Sequence, residues 1–329
     1  MSRVGKINDL PRLDVAVTRA LPAQVLELFR IRHAVWVNPH DRSLTPDELQ
    51  QAACCADAMV VTAFDRLDRD TIARLPERLR ILATYSVGIE HIDLEAAARH
   101  GIAVLSTPDV LSDSVAEMAI LLMLGAARRT CEGAALLYGR TWSGWTPTQL
   151  IGIELTGQRI GILGMGRIGR TIARRARGFD MKVHYHNRRR LETQLEEDAN
   201  YHPTLEGLLA VSDVLVLAAP STPHTKGLLN AARFEQLPAN AILVNIARGD
   251  LVDDDALIGA LRSGRIAGAG LDVFNNEPRL DQRYFDLPNV FLQPHQGSST
   301  LAARLKMASV LLSGIDAILA NSRPSNRVV

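Results

Sequence analysis

Three residues in the C-terminal half of the chain have the types and spacing to do chemistry. Arg248 stands in Asn245-Ile-Ala-Arg-Gly-Asp, Glu277 in Asn-Asn-Glu-Pro and His295 in Gln-Pro-His-Gln-Gly-Ser. Each falls just after a short apolar run that reads as a strand, and the carboxyl edge of a parallel sheet is where ligands bind. A His exchanges protons near neutral pH, a carboxylate beside it favours the imidazolium, and an Arg offers a cation to an anionic substrate. Reduction of a 2-keto acid needs that set besides a hydride: an acid for the carbonyl oxygen, a carboxylate to orient the acid and a cation for the substrate. Taken singly, each has a plainer reading: a loop His after Pro, a turn Glu before Pro, a surface Arg before Gly.

A second pattern supplies a place for the hydride donor. Gly164-Met-Gly166-Arg-Ile-Gly169 follows the strand-like Arg159–Leu163 and opens a helix predicted over residues 168–177. In that context Gly164 permits the turn, Gly166 lets the backbone approach a pyrophosphate, and Gly169 lets helix pack on strand. The helix start adds unpaired N–H groups and the positive end of its dipole. The next strand ends in His184-Tyr-His-Asn187-Arg188-Arg189-Arg190, where an NAD site would carry Asp or Glu for the ribose hydroxyls. Arginine forks suit a 2′-phosphate, so NADPH is expected in preference to NADH. Arg188 is the expected contact, Asn187 and Arg189 its supports, and Arg190 is read as facing solvent. A solvated charge run is the alternative.

The elements that must position these residues follow an α/β rhythm. Apolar runs at 15–17, 58–62, 81–85 and 102–105 alternate with helical stretches at 21–29 and Leu94–Arg99. Six more strands are expected at Arg159–Leu163, 182–185, 214–218, 241–245, 267–272 and Val290–Leu292, with a helix at Asp254–Arg262. The fold class is therefore α/β: two parallel-sheet domains, Rossmann-like or flavodoxin-like, with a cleft between them. The apolar helix Ser112–Ala127, with Asp113 and Ser114 as N-terminal caps, carries the chain from the first domain to the second. The last helix, Leu301–Leu319, returns to the first. The expected domains are residues 1–105 plus 297–329 for substrate binding and 106–296 for NAD(P), and 321–326 is read as a frayed tail.

Composition excludes several classes. A chain of 329 residues with a net charge of +1 has no global attraction for nucleic acid or anionic membrane. Cys54, Cys55 and Cys131 show no metal or disulfide spacing, as in a reducing cytosol. The opening Met-Ser-Arg-Val-Gly-Lys lacks an apolar signal core, and the longest uncharged apolar run, residues 118–127, is too short to span a bilayer. A cytoplasmic protein acting on a small molecule, without a metal, is expected. No internal repeat is present.

The motifs together resemble the D-isomer-specific 2-hydroxyacid dehydrogenases, and within them the NADPH-dependent glyoxylate/hydroxypyruvate (2-ketogluconate) reductase branch. The resemblance rests on Tyr85-Ser-Val-Gly-Ile-Glu-His-Ile-Asp, Thr107-Pro-Asp-Val-Leu-Ser-Asp-Ser-Val-Ala-Glu, Gly164-Met-Gly-Arg-Ile-Gly, Asn245-Ile-Ala-Arg-Gly-Asp-Leu-Val-Asp, Gly270-Leu-Asp-Val-Phe and Pro294-His-Gln-Gly-Ser. It implies that His295 is the general acid/base, Glu277 its partner, and Arg248 the residue that binds and polarises the keto acid. It implies that the amides of Val87 and Gly88 take the substrate carboxylate, and that Arg167, Ile168, Ile246 and Asp272 contact the cofactor. It also implies that residues 121–150 form a dimerisation arm, with Trp145 at the partner's substrate site. Ala302-Ala-Arg304 departs from the family's usual Glu-Thr-Arg, which bears on local packing. The chain ends too early for the regulatory extension of many phosphoglycerate dehydrogenases. Another class of protein with this fold senses nucleotides as a binding module in transcriptional complexes; the complete Arg, Glu and His set argues against it.

Overall fold

Short runs of Val, Ile, Leu and Ala without polar alternation make strands covered on both faces. The computed structural model, which describes residues 10–329, builds two all-parallel sheets from them. The N-terminal hexapeptide discussed above lies outside the described residues. The chain divides between two compact units after Leu111 and again after Ser298.

The first unit runs β1 (Asp14–Val17), α1 (Ala23–Arg32), β2 (Ala34–Val37), α2 (Pro46–Ala53), β3 (Ala58–Val61), α3 (Arg69–Ala73), β4 (Ile81–Thr84), α4 (Leu94–Arg99) and β5 (Ala103–Leu105). Its strand order is β2-β1-β3-β4-β5, the flavodoxin-like arrangement. Strand β2 was not expected. Only His33 separates it from α1, so no turn signal marks it, and as an edge strand it has no buried residue. The tail is not frayed. Asn326 is buried and donates to the carbonyls of Ser106 (3.0 Å) and Val310 (3.3 Å), and Val328 N–H donates to Val104 O (2.8 Å), so the C-terminus runs along β5.

The second unit runs α5 (Ser112–Ala127), α6 (Thr130–Tyr138), β6 (Arg159–Leu163), α7 (Arg167–Arg177), β7 (Lys182–His186), α8 (Thr193–Glu196), β8 (Asn200–Tyr201), α9 (Leu205–Leu209), β9 (Val214–Leu217), α10 (Ala231–Phe234), β10 (Ile242–Asn245), α11 (Asp254–Arg262), β11 (Gly268–Leu271) and β12 (Val290–Leu292); α12 (Leu301–Leu319) belongs to the first. The order β12-β11-β10-β9-β6-β7-β8 makes seven strands rather than the six expected, because the two-residue β8 leaves no periodic signal. Helix α5 is apolar because it packs on β10, β11 and β12. A Cβ at Gly270 would stand 2.6 Å from Leu122 O. It begins at Ser112, so Asp113 and Ser114 lie in its first turn rather than capping it; Ser114 Oγ donates to Gly297 O (2.7 Å) and Asp113 pairs with Arg175 (3.0 Å). Among the described residues no helix is long and apolar enough to cross a membrane.

Candidate active site

In the second sheet every strand is parallel, so the segments after β6, β7, β10, β11 and β12 emerge at one edge. Arg248, Glu277 and His295 leave the last three of these. Their loops are shaped by polar side chains at the strand ends. Asn245 is buried; its Oδ1 accepts from Ala247 N–H (3.0 Å) and its Nδ2 donates to Arg248 O (2.9 Å). Gly249 follows because a Cβ there would stand 1.9 Å from the Phe274 carbonyl carbon. The Arg248 loop is thus pressed against the loop that carries Glu277.

Glu277 joins the two remaining loops. Its Oε1 accepts from Phe274 N–H (2.8 Å), and its Oε2 lies 2.6 Å from His295 Nδ1. His295 has φ +54, a region His visits more readily than most residues. Its own N–H donates to Asp272 O (2.9 Å). The buried Asp272 carboxylate accepts from the amides of Gln296 (2.6 Å) and Gly297 (2.7 Å). Burial pushes the Asp272 carboxyl up, while those two amides and the nearby His295 pull it down. Asp272 therefore holds the turn on which His295 stands, a role not expected from the sequence. The signal for Asn245 was legible: Asn before a turn bonds its own backbone two residues on.

The glycine-rich turn tests whether a dinucleotide fits. Gly164 has φ +99, and a Cβ there would meet the backbone of Ala218 and Ala219 at 2.6–2.8 Å. A Cβ at Gly169 would lie 2.4 Å from Gly164 O. The chain itself needs both glycines. Gly166 is different: its φ is −76 and a Cβ there meets nothing within 4 Å. Neither backbone nor packing demands glycine there, and the open space suits the close approach of a pyrophosphate. Gly166 is the N-cap of helix α7, with no side-chain cap hydrogen bond and no acidic residue in the first turn, which suits an anion. Arg167 opens α7 with Ile168 beside it, Ile246 is buried after β10, and Asn187 Oδ1 accepts from Met165 N–H (2.7 Å), tying the end of β7 to the turn.

Arg188 and Arg189 are exposed, and among the described residues no carboxylate pairs with either. Arg190 is exposed, as expected, but also has a partner. It forks onto Glu196 at 2.9 and 3.0 Å. In the first unit Ser86 Oγ donates to Gly88 O (2.6 Å), and among the described residues neither the Val87 nor the Gly88 amide has a hydrogen-bond acceptor. Trp145 is 78 % exposed in an exposed segment after α6. Among the described residues no cluster of His, Cys, Asp or Glu could hold a metal.

A family model described as D-isomer specific 2-hydroxyacid dehydrogenase, NAD binding domain, matches residues 120–297. The chain belongs to that family. It is 40 % identical over 311 residues to the glycerate dehydrogenase of Hyphomicrobium methylovorum, covering 94 % of this chain and 97 % of that one. It is 41 % identical over 319 residues to the glyoxylate reductase of Pyrococcus furiosus, covering 95 % and 94 %. Among solved structures it is similar to an NADPH-dependent glyoxylate/hydroxypyruvate reductase from Sinorhizobium meliloti in complex with NADP and malonate, with a TM-score of 0.85, 31 % identity and 97 % of each chain covered. These likenesses support 2-keto acid reduction as the chemistry of this family member.

Proposed function

We propose that the protein reduces small 2-keto acids such as glyoxylate or hydroxypyruvate to D-2-hydroxy acids, with NADPH preferred over NADH. The observation that carries this reading is the 2.6 Å contact between His295 and Glu277, beside a loop that presents Arg248. With Nδ1 committed to Glu277, the proton for the carbonyl oxygen comes from His295 Nε2. Arg248 binds the keto acid and polarises its carbonyl, and the amides of Val87 and Gly88 take the carboxylate. Gly164, Gly166, Arg167, Ile168, Gly169, Ile246 and Asp272 hold the dinucleotide, and Arg188 with Asn187 and Arg189 meets its 2′-phosphate. The reduced nicotinamide supplies the hydride when bound.

Residues 121–150 are proposed to pair two copies as a homodimer, since Leu121, Leu137, Tyr138, Trp142 and Trp145 are all exposed there. Trp145 would then complete the partner's substrate site. A cytoplasmic setting accords with three free thiols.

The test is a panel of keto acids (glyoxylate, hydroxypyruvate, 2-ketogluconate) assayed with NADPH and with NADH. Turnover of at least one with NADPH as the better donor is expected. Cofactor binding without turnover of any would favour a nucleotide-sensing module instead.

A further inference from the structure

The run Arg188-Arg189-Arg190 divides by environment. Arg188 and Arg189 make no ion pair among the described residues, whereas Arg190 turns back onto Glu196 with both arms of its fork. The Glu196 side chain is only 6 % exposed, although it carries a charge. It also accepts from Tyr185 OH (2.5 Å), and that hydroxyl accepts in turn from Leu191 N–H (3.0 Å). The Arg190 guanidinium lies 5.9 Å above the Tyr201 ring, and Tyr201 OH donates to Asn187 O (3.4 Å). Residues 187–191 are thereby tied at both ends, at Asn187 by Tyr201 and Met165 and at Leu191 by Tyr185. Pairing with Arg190 holds the Glu196 carboxyl below its usual range, and burial pushes Tyr185 up to about 12. The charges of this cluster do not change across the physiological range.

A buried carboxylate needs a reason, because an apolar side chain in the same place would pack without any desolvation cost. We propose that Glu196, acting through Arg190 and Tyr185, is the positioning residue of the 2′-phosphate site: it fixes residues 187–191 so that Arg188 and Arg189 stand ready for the phosphate. The inference rests on the reading that this chain prefers NADPH. Positioning and simple charge make opposite predictions at this residue. Removing a negative charge near the phosphate relieves Coulomb repulsion and on that ground alone strengthens NADPH binding. Loosening the loop weakens it, because binding must then immobilise a segment, residues 187–191, that the wild type already ties at Asn187, Arg190 and Leu191.

The test is fluorescence titration of NADPH and NADH against the wild type, Glu196→Gln, Arg190→Met, the double variant Arg188→Ala/Arg189→Ala, and that double variant combined with Glu196→Gln. Glu196→Gln and Arg190→Met should each weaken NADPH by roughly two- to tenfold, the equivalent of one or two side chains newly ordered on binding, and leave NADH within about twofold. In the background lacking Arg188 and Arg189, Glu196→Gln should add nothing. Unchanged or tighter NADPH binding in Glu196→Gln, equal weakening of both cofactors, or a full additional loss in that background would each overturn the inference while the cofactor reading stands. A wild type that binds NADH the tighter would overturn the reading itself, and the inference with it.

Discussion

His295 Nδ1 lies 2.6 Å from Glu277 Oε2, and the other oxygen of that carboxylate is occupied by Phe274 N–H at 2.8 Å. With Nδ1 committed to the carboxylate, the proposed mechanism gives Nε2 to the substrate. A His at φ +54 also needs surroundings that hold it there, and Asp272 O and Gln293 O both accept from its N–H, at 2.9 and 3.1 Å.

Replacing His295 with Ala should therefore lower the rate of keto acid reduction by a factor on the order of 10² to 10⁴, the worth of a positioned proton donor. Cofactor affinity should scarcely move. Turnover near the wild-type rate in this variant would remove His295 from the mechanism. Glu277→Gln tests the pair. Without the carboxylate the ring loses the partner that holds Nδ1, so kcat for reduction should fall while cofactor affinity holds. The check is steady-state kcat beside cofactor titration; an unchanged kcat would mean that the carboxylate does not act on the ring.

Arg248 carries a planar fork that can meet a keto oxygen and a carboxylate together, which a lysine ammonium cannot reproduce. Arg248→Lys should raise KM and lower kcat for the best keto acid. The loop should survive, because Asn245 and Gly249 shape it through the backbone. Steady-state kinetics indifferent to the substitution would make Arg248 a structural residue.

The parts legible in the sequence were those with a period or a motif. Helices Ser112–Ala127, Asp254–Arg262 and Leu301–Leu319 have the bounds expected, because long apolar or amphipathic runs declare themselves. The strands β2 and β8 were missed for want of length or a preceding turn. Tertiary partners were invisible. Nothing local in Asn321-Ser-Arg-Pro-Ser-Asn announces that Asn326 is buried beside Ser106, more than two hundred residues away in sequence. Arg190 illustrates the same limit in the site, since a run of three arginines carries no mark of which one has a carboxylate partner. The motif residues stand out in the sequence because each follows a strand, whereas the structural part of Asp272 does not, because its backbone partners come from another strand's loop.

Burial sets one pH dependence of stability. His33 is 2 % exposed and among the described residues its Nε2 has no hydrogen-bond partner, while Leu13 N–H approaches Nδ1 at 3.5 Å. Burial lowers the pKa of the ring; Asp316 opposes this, and Arg32 and Arg12 reinforce it. The folded state thus takes up a proton less readily than the unfolded chain, whose His titrates near the ordinary value of 6.5. Above that pH both states are neutral and the contribution is complete; as pH falls through 6.5 and on to the folded value, stability is lost. Thermal melts at about pH 7.5 and 5.5 should show a smaller drop in His33→Gln than in the wild type. Equal drops would assign the acid sensitivity to other groups.

In the proposed reading the choice of cofactor turns on Arg188. The 2′-phosphate of NADPH carries close to two negative charges, and Arg188 is exposed at the end of β7 without a carboxylate partner among the described residues. A hydrogen bond to a charged group is worth roughly 1.5 to 3 kcal/mol, so Arg188→Ala should weaken NADPH by roughly ten- to a hundredfold. NADH lacks the phosphate and should lose little. Salt supplies an independent check, because an exposed ion pair is screened. Raising the ionic strength should erode the NADPH preference of the wild type and leave the affinity for NADH nearly constant. Both effects are read from titration of the two cofactors at low and high salt. A wild type that prefers NADH, or a variant that loses both cofactors equally, would return Arg188 and Arg189 to the status of a solvated charge run.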